Sequence, residues 1–345
     1  MDNIRIIASK INRPKKKDKY NILTFPTHEG YQTLLDKTGH NFYMLNLAGG
    51  KRWETAYRDV PPNHEIIDSI YDELSDIDFI LSHERFSQLQ TAREISQKCR
   101  LPILHMEHVE PQDDRWDAAT AQNLRSIMGD VNVFITEHNK KSWNIDCDGI
   151  VIPHGIDTET FKGPWTGHEN NKKYVLYTVN LLKERDYFCG HKVWERVKNL
   201  VQSAMPEVEF KLIGNNPGVS SPVSDPESLS EFYRRCACYI NTSQLSPVPM
   251  TVMEAMSCGC PVVSTAKQEI PKIIDNGKNG FCSNSEEEMA SEIIKIITDK
   301  EYAIALGNQA RQTIIDRFSC DSFIENWNKV FDLAYEKCFG RTTVL

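Results

Sequence analysis

Residues 246–265 read SPVPMTVMEAMSCGCPVVST. An apolar run with helical spacing follows Pro249, breaks at a Cys-Gly-Cys-Pro turn and resumes as paired valines. Proline is accepted in the first turn of a helix, where its missing N–H costs little, so the run predicts a helix starting near Met250. The turn ends it, and the β-branched PVVST (261–265) predicts a buried strand. Helix, tight turn and buried strand form the repeating unit of a parallel α/β sheet. Within the helix Thr251, Glu254 and Cys258 share one face, and Val252, Met253 and Met256 another. The positions three and four residues from Glu254 hold Met250, Thr251, Ser257 and Cys258, none of them basic. A carboxylate without a cation in an apolar helix is costly. The expectation is that a hydroxyl-bearing ligand satisfies it.

The same alternation extends along the chain. NILTF (21–25), NFYMLN (41–46), DFILS (78–82), LPILHM (101–106), VNVFIT (131–136) and GIVIP (149–153) predict buried strands. Residues 29–38, 65–74, 86–99 and 117–128 carry helical spacing between them. The polar stretch HGIDTETFKGPWTGHENNKK (154–173) has no periodicity and reads as a linker. Beyond it, YVLYTVN (174–180), VEFKLIG (208–214), CYINT (238–242) and PVVST predict a second set of strands. From Ser285 to about Glu336 the pattern is almost continuously helical.

The expected fold is α/β, with two Rossmann-like doubly wound domains facing a cleft. Such sheets bind ligands at the carboxyl ends of their strands. That rule singles out Gly214 and Asn215 after one strand, and the loop from Asn241 to Pro249 after another. The helix N-terminus at Met250 and Thr251 offers free N–H groups and a positive dipole end, suited to a phosphate.

Length and composition narrow the choice. A chain of 345 residues suits two domains, and 40% hydrophobic with 26% charged residues is a globular balance. No apolar run approaches the roughly 20 residues of a membrane span. The opening MDNIRIIASKINRPKKK has no hydrophobic signal core, so a cytoplasmic location is expected. Ten scattered cysteines fit reduced thiols. The Cys236/Cys238 and Cys258/Cys260 pairs lack the two-residue gaps and histidine partners of zinc sites, so no metal is expected there.

The net charge of −8 is spread over both halves, against a nucleic-acid module by bulk charge. One basic cluster, Lys10, Arg13, Lys15, Lys16, Lys17 and Lys19, is either a solvated loop or a peripheral contact with a membrane or DNA. In LHMEH, His105 and His108 would face opposite sides of a strand. His108, beyond the apolar run, competes with His28, His83 and His105 for a role at the site. Glu110, Asp113 and Asp114 form either a solvated acidic loop or a metal site.

SPVPMTVMEAMSCGCPVV resembles the signature of the family 4 glycosyltransferases, retaining enzymes of the GT-B fold. There the segment reads E-G-F-G-L-P-L-L-E-A-M-A-C-G-T-P-V-V, with two glutamates separated by seven residues. VIPHGIDTETF (151–161) resembles that family's V-P-N-G-I-D-x-x-x-F. EFKLIGNNPG (209–218) resembles its strand and glycine loop beside the nucleotide. QEIPKIIDNGKNGF (268–281) resembles G-G-I-P-E-I-I-x-D-G-x-N-G-F. Residues 320–337, with Phe323, Trp327, Val330 and Phe331, resemble the final helix that crosses back to the first domain. LPILHMEHVEP resembles the segment whose histidine lies beside the donor sugar, which matches His108.

The resemblance implies an acceptor-binding domain over 1–155, a nucleotide-sugar domain over 156–320 and a returning helix over 321–345. It implies transfer of a sugar from a nucleotide-diphosphate sugar, such as a UDP-sugar, to a hydroxyl acceptor: a glycan, a lipid or a hydroxymethylated DNA base. No cofactor or metal is obligatory. The alternative of another class is a module of this fold that has lost catalysis and binds a nucleotide or a glycan.

The second signature glutamate falls on Glu254, implying a ribose contact, and the first falls on Ser246. The family's G-R-L-x-x-x-K-G, whose arginine and lysine grip the diphosphate, appears as VNLLKERD. Asn180 replaces the arginine, and Arg185 stands where the lysine should be. The first glycine-rich loop is replaced by FPTHEGYQTLL, which keeps Gly30, so acceptor contacts are expected at His28, Glu29 and Gly30. The implied catalytic set is His108, Arg185 and Glu254. The implied donor set is Asn180, Gly214, Asn215, Ser246, Met250, Thr251 and Glu254.

Overall fold

The computed structural model describes residues 16–70 and 76–340, without the side chains of 338–340. The chain divides into two compact units, Met1–Pro153 with Asp321–Leu345, and His154–Cys320. Each is built on one parallel sheet.

In unit 1 the strands are β1 (Asn21–Thr24), β2 (Asn41–Leu45), β3 (His64–Ile67), β4 (Phe79–Ser82), β5 (Ile103–Glu107), β6 (Val131–Phe134) and β7 (Ile150–Val151). The helices between them are α1 (Glu29–Asp36), α2 (Gln88–Cys99), α3 (Ala118–Ser126) and α4 (Glu137–Trp143). The sheet order is β3-β2-β1-β4-β5-β6-β7. Every residue of β4, β5 and β6 is buried, the mark of strands covered on both faces. β1 takes β2 on one side (Leu23↔Tyr43) and β4 on the other (Leu23↔Ile80). The chain order therefore reverses at the β1/β4 pair, the point where open α/β sheets leave a crevice.

Unit 2 contains β8 (Tyr174–Thr178), β9 (Glu209–Ile213), β10 (Cys238–Asn241), β11 (Val262–Ser264) and β12 (Phe281–Cys282). Its helices are α5 (Asp186–Cys189), α6 (His191–Ala204), α7 (Pro226–Arg235), α8 (Met250–Ser257), α9 (Ile270–Ile273), α10 (Glu286–Thr298) and α11 (Lys300–Arg317). The order β12-β11-β10-β8-β9 places the reversal at β8/β10. One apolar core joins these elements, from Val175 and Leu176 in β8 to Val262 and Val263 in β11.

The last helix, α12 (Cys320–Gly340), packs into unit 1 through its aromatic stripe. The Phe331 ring lies 5.7 Å from Phe79, Trp327 Nε1 donates to Tyr31 Oη at 3.1 Å, and the Tyr20 hydroxyl donates to Asp332 at 2.6 Å.

Two expectations are corrected. Residues 64–67 form strand β3 in place of the start of a helix over 65–74, paired to β2 from Phe42↔His64 to Leu45↔Ile67. The spacing of Ile66, Ile67 and Ile70 fits a helical face, and the available edge of β2 overrides it; residues 71–75 lie outside the described residues. The stretch 154–173 is no linker, because Phe161 and Trp165 are buried in the unit 2 core. Trp165 Nε1 also donates to the Cys236 carbonyl at 2.7 Å. The short elements α4 and β12 carry too few residues to show a period.

Of the basic cluster, Lys10, Arg13 and Lys15 lie outside the described residues. Lys16 pairs with Asp332 at 3.1 Å, Lys17 with the buried Asp78 at 2.7 Å, and Lys19 donates to Asn63 at 3.2 Å. These three are engaged within unit 1. Among the described residues no helix is long and apolar enough to cross a membrane.

Candidate functional site

In unit 2 the residues converge on the carboxyl ends of β8 and β10. Beyond β8, Asn180 Oδ1 accepts from the Asn215 amide at 2.8 Å, and the Leu181 amide donates to the Asn215 carbonyl at 2.8 Å. Asn216 extends the stitching, accepting from the Leu182 amide at 2.9 Å and donating to the Val179 carbonyl at 2.9 Å. Gly214 makes this approach possible. Its φ is +124°, and a Cβ there would lie 2.2 Å from the Val179 carbonyl oxygen. Asn180, where the resembling motif has an arginine, thus fixes the loop after β9.

Arg185 precedes α5 and is exposed, with its guanidinium 5.5 Å from the centre of the Phe188 ring. Among the described residues it makes no ion pair. The loop after β10 is anchored from several sides. Thr242 Oγ1 donates to the Cys189 carbonyl at 2.8 Å, and the Gln244 amide to the Phe188 carbonyl at 2.8 Å. Gly190, at φ +71°, lets α6 start against this loop, since a Cβ would lie 2.0 Å from the Thr242 carbonyl oxygen. Ser246 is half-buried in the same loop.

α8 begins at Met250 after the extended Pro249, with no side chain capping its first amides. One turn in, Glu254 is buried and its Oε2 accepts from the Tyr233 hydroxyl at 3.0 Å. This corrects the premise that the carboxylate lacks a protein partner. The partner comes from α7, 21 residues away, where no i±3 or i±4 reading reaches. Burial first, and the charge of Glu254 second, push the Tyr233 phenol well above its usual pKa. Thr251 Oγ1 likewise accepts from the Tyr239 hydroxyl at 2.7 Å.

In unit 1 a second cluster stands at the β1/β4 reversal and the end of β5. His28 follows β1, His83 follows β4 and His108 follows β5. His83 Nδ1 and His108 Nε2 are 3.0 Å apart. The His28 ring stacks at 6.0 Å on His108, and Tyr31 meets His108 edge-on at 4.6 Å. Glu29 is buried, pairing with Lys51 at 2.7 Å and accepting from the Glu54 amide at 3.3 Å, so its carboxylate supports the loop. Gly30 has open space where a Cβ would stand.

His105 is a core residue. Its Nδ1 is 2.9 Å from Ser82 Oγ and its Nε2 3.3 Å from Glu107, which pairs with the buried Arg85 at 2.5 Å. Glu110 is buried beside Ser142, its carboxyl pushed up by desolvation, and Asp113 pairs with Arg125 at 2.6 Å. Among the described residues no group of three His, Cys, Asp or Glu side chains is placed to hold a metal ion.

A cavity of about 230 Å³ opens at the carboxyl ends of β1, β2 and β4, walled by Phe25, Leu45 and Leu47 and rimmed by Thr27, Lys51 and Glu84. Larger concavities lie elsewhere: about 520 Å³ at the amino ends of β8 and β9, and about 750 Å³ beside α9 and α11. Neither touches the strand ends that carry these clusters.

Residues 187–313 match the family described as glycosyl transferases group 1. The match covers just over a third of the chain. Over 302 residues the chain is 25% identical to N-acetyl-alpha-D-glucosaminyl L-malate synthase of Bacillus anthracis, covering 69% of this chain and 76% of that one. It is 26% identical over 128 residues to poly(ribitol-phosphate) alpha-N-acetylglucosaminyltransferase of Staphylococcus aureus. There the match spans 36% of this chain and a quarter (25%) of the relative's length. Anabaena HepE, solved with UDP and glucose, shares the fold with a TM-score of 0.72 at 14% identity, over 90% of this chain and 99% of that one. The chain thus has the GT-B fold.

Proposed function

We propose that the protein is a retaining glycosyltransferase that moves a sugar from a nucleotide-diphosphate sugar, a UDP-sugar in our reading, to a hydroxyl acceptor. The observation that carries this is the β8/β10 reversal. An exposed arginine after β8 stands there with an uncapped helix N-terminus and a buried carboxylate after β10, the last two within the stretch that matches the group 1 glycosyl transferases.

The roles follow from the chemistry of the groups. Glu254 accepts from the ribose hydroxyls, while the Met250 and Thr251 amides and Arg185 meet the diphosphate. Asn180 and Asn215 shape the loop against which the nucleotide lies, with Gly214 allowing the close approach. The C1–O bond to the diphosphate breaks and its electron pair leaves with the phosphate oxygen. Arg185 and the helix dipole stabilise that charge as it develops. The acceptor oxygen bonds to C1 on the same face, and its proton passes to the departing phosphate. His108 hydrogen-bonds the donor sugar. Ser246, shorter than glutamate and uncharged, leaves room beside the sugar for a water or a larger substituent.

Unit 1 holds the acceptor, with His28 and the open side of Gly30 as its contacts; Glu29 holds the loop in place. Cys236 and Cys260, free thiols with sulfurs 3.3 Å apart, suit a protein that works in the reducing cytoplasm.

A thermal-shift panel of UDP-, GDP- and ADP-sugars tests the donor reading, because a ligand that binds only the folded state raises its stability by mass action. A rise with UDP and one UDP-sugar supports it. No shift with any member removes it.

A further inference from the structure

We propose that His83 is a positioning residue for His108: its Nδ1–H donates to His108 Nε2 and holds that imidazole in the Nδ1-protonated tautomer. The inference rests on the reading of His108 as a sugar contact, and it adds which nitrogen faces the sugar and in what state.

Two imidazole nitrogens 3.0 Å apart share one proton, so one ring donates and the other accepts. The surroundings of His83 decide which. Its ring is buried, and its backbone amide is held by Gln88 Oε1 at 2.9 Å. Its other nitrogen, Nε2, is buried with no hydrogen-bond partner. If His108 were the donor, the single proton of neutral His83 would sit on that Nε2, leaving a buried N–H with no acceptor. Orphaned buried N–H groups are the rarer and costlier kind of unsatisfied group. With the proton on Nδ1, only a bare lone pair is left buried.

A doubly protonated His83 is disfavoured as well. Burial, and then the neighbouring His105, His28 and His64, push its pKa down to about 3. The remaining ring against it is Tyr31, edge-on at 6.2 Å, whose own phenol burial keeps neutral. Tyr31 and His28 also bracket the His108 ring and restrict its rotation.

The consequence concerns mechanism. With Nε2 accepting from His83 and the proton on Nδ1, His108 is a hydrogen-bond donor toward its remaining neighbours and not a general base. It recognises an oxygen lone pair on a sugar, and the acceptor proton must leave by another route.

The test reads the tautomer directly. Long-range ¹H–¹⁵N correlation spectra of histidine-labelled full-length protein at neutral pH distinguish protonated from bare ring nitrogens, with His108 assigned through His108→Gln. Wild type should show a protonated Nδ1 and a bare Nε2. His83→Leu should release His108 to the Nε2-protonated form, whereas His83→Asn, whose side-chain amide still donates, should retain the wild-type pattern. Sugar transfer should fall about tenfold in kcat in the leucine variant, as for loss of one hydrogen bond, and recover in the asparagine variant. An Nε2-protonated His108 in wild type, or an unchanged pattern in His83→Leu, overturns the proposal. If the leucine variant does not fold, the wild-type spectrum still decides. The expected tautomers without any sugar transfer would leave this inference standing and remove the glycosyltransferase reading instead.

Discussion

Replacing Glu254 by alanine separates two jobs assigned to one carboxylate. Its Oε2 accepts from the Tyr233 hydroxyl at 3.0 Å, and both residues are buried. Alanine leaves that hydroxyl without this acceptor, at a cost of about 1–3 kcal/mol for an unsatisfied buried polar group. For a unit of this size each kcal/mol lowers Tm by roughly 2–4 °C. The same substitution removes the charged acceptor proposed for the ribose, about 1.5–3 kcal/mol. That corresponds to a roughly ten- to hundredfold weaker Kd for UDP. Calorimetric titration with UDP and scanning calorimetry read the two effects independently. Tyr233→Phe is the control, since it removes the phenol and keeps the carboxylate, so UDP affinity should stay within about twofold of wild type, a change well under 1 kcal/mol. A folded Glu254→Ala protein with wild-type UDP affinity would refute the reasoning. The glutamate would then be the partner of Tyr233 and nothing more.

Gly214→Ala places a Cβ 2.2 Å from the Val179 carbonyl in a left-handed conformation. Loss of UDP binding and a drop in Tm of several degrees, by roughly 2–4 °C per kcal/mol of backbone strain, should follow in thermal melts. Ser246→Glu brings a longer, charged side chain toward the sugar, and transfer rates with donors differing only in the sugar should show a loss with the natural one. An equal or better rate would make the serine incidental. Stability should also fall below neutral pH. His83 is held near 3 in the folded state, against about 6.5 when unfolded, so the unfolded chain binds the extra proton between those values. The contribution is complete above about pH 6.5 and is lost as pH falls, by up to about 1.4 kcal/mol per unit. Urea midpoints measured across that window check it, and His83→Asn should flatten the slope.

Most strands of both sheets were legible because parallel strands buried on both faces read as uninterrupted apolar runs, as in FILS and CYIN. β3 was not, since HEII is half exposed and its isoleucines, taken with Ile70, fit a helical face. Trp165 hid the membership of residues 154–173 in unit 2, because one buried aromatic leaves no period in a polar stretch. At the site, the strand-end rule singled out Gly214, Asn215 and the loop that holds Ser246, while Asn180 came only from the resemblance; its contact with the Asn215 amide joins it to them. The partner of Glu254 was illegible, since Tyr233 arrives from another helix. The His83–His108 pair, 25 residues apart, is likewise a product of β4 and β5 lying side by side.

UDP release from a panel of UDP-sugars, with hydroxyl acceptors and without them, tests the central claim most directly. Wild-type protein should release UDP from one donor, faster with its acceptor, and Arg185→Ala should lower that rate by roughly a hundredfold, the loss of a charged contact to the leaving diphosphate. Tight UDP binding with no release from any donor under any condition would contradict the claim and leave a nucleotide-binding module in its place.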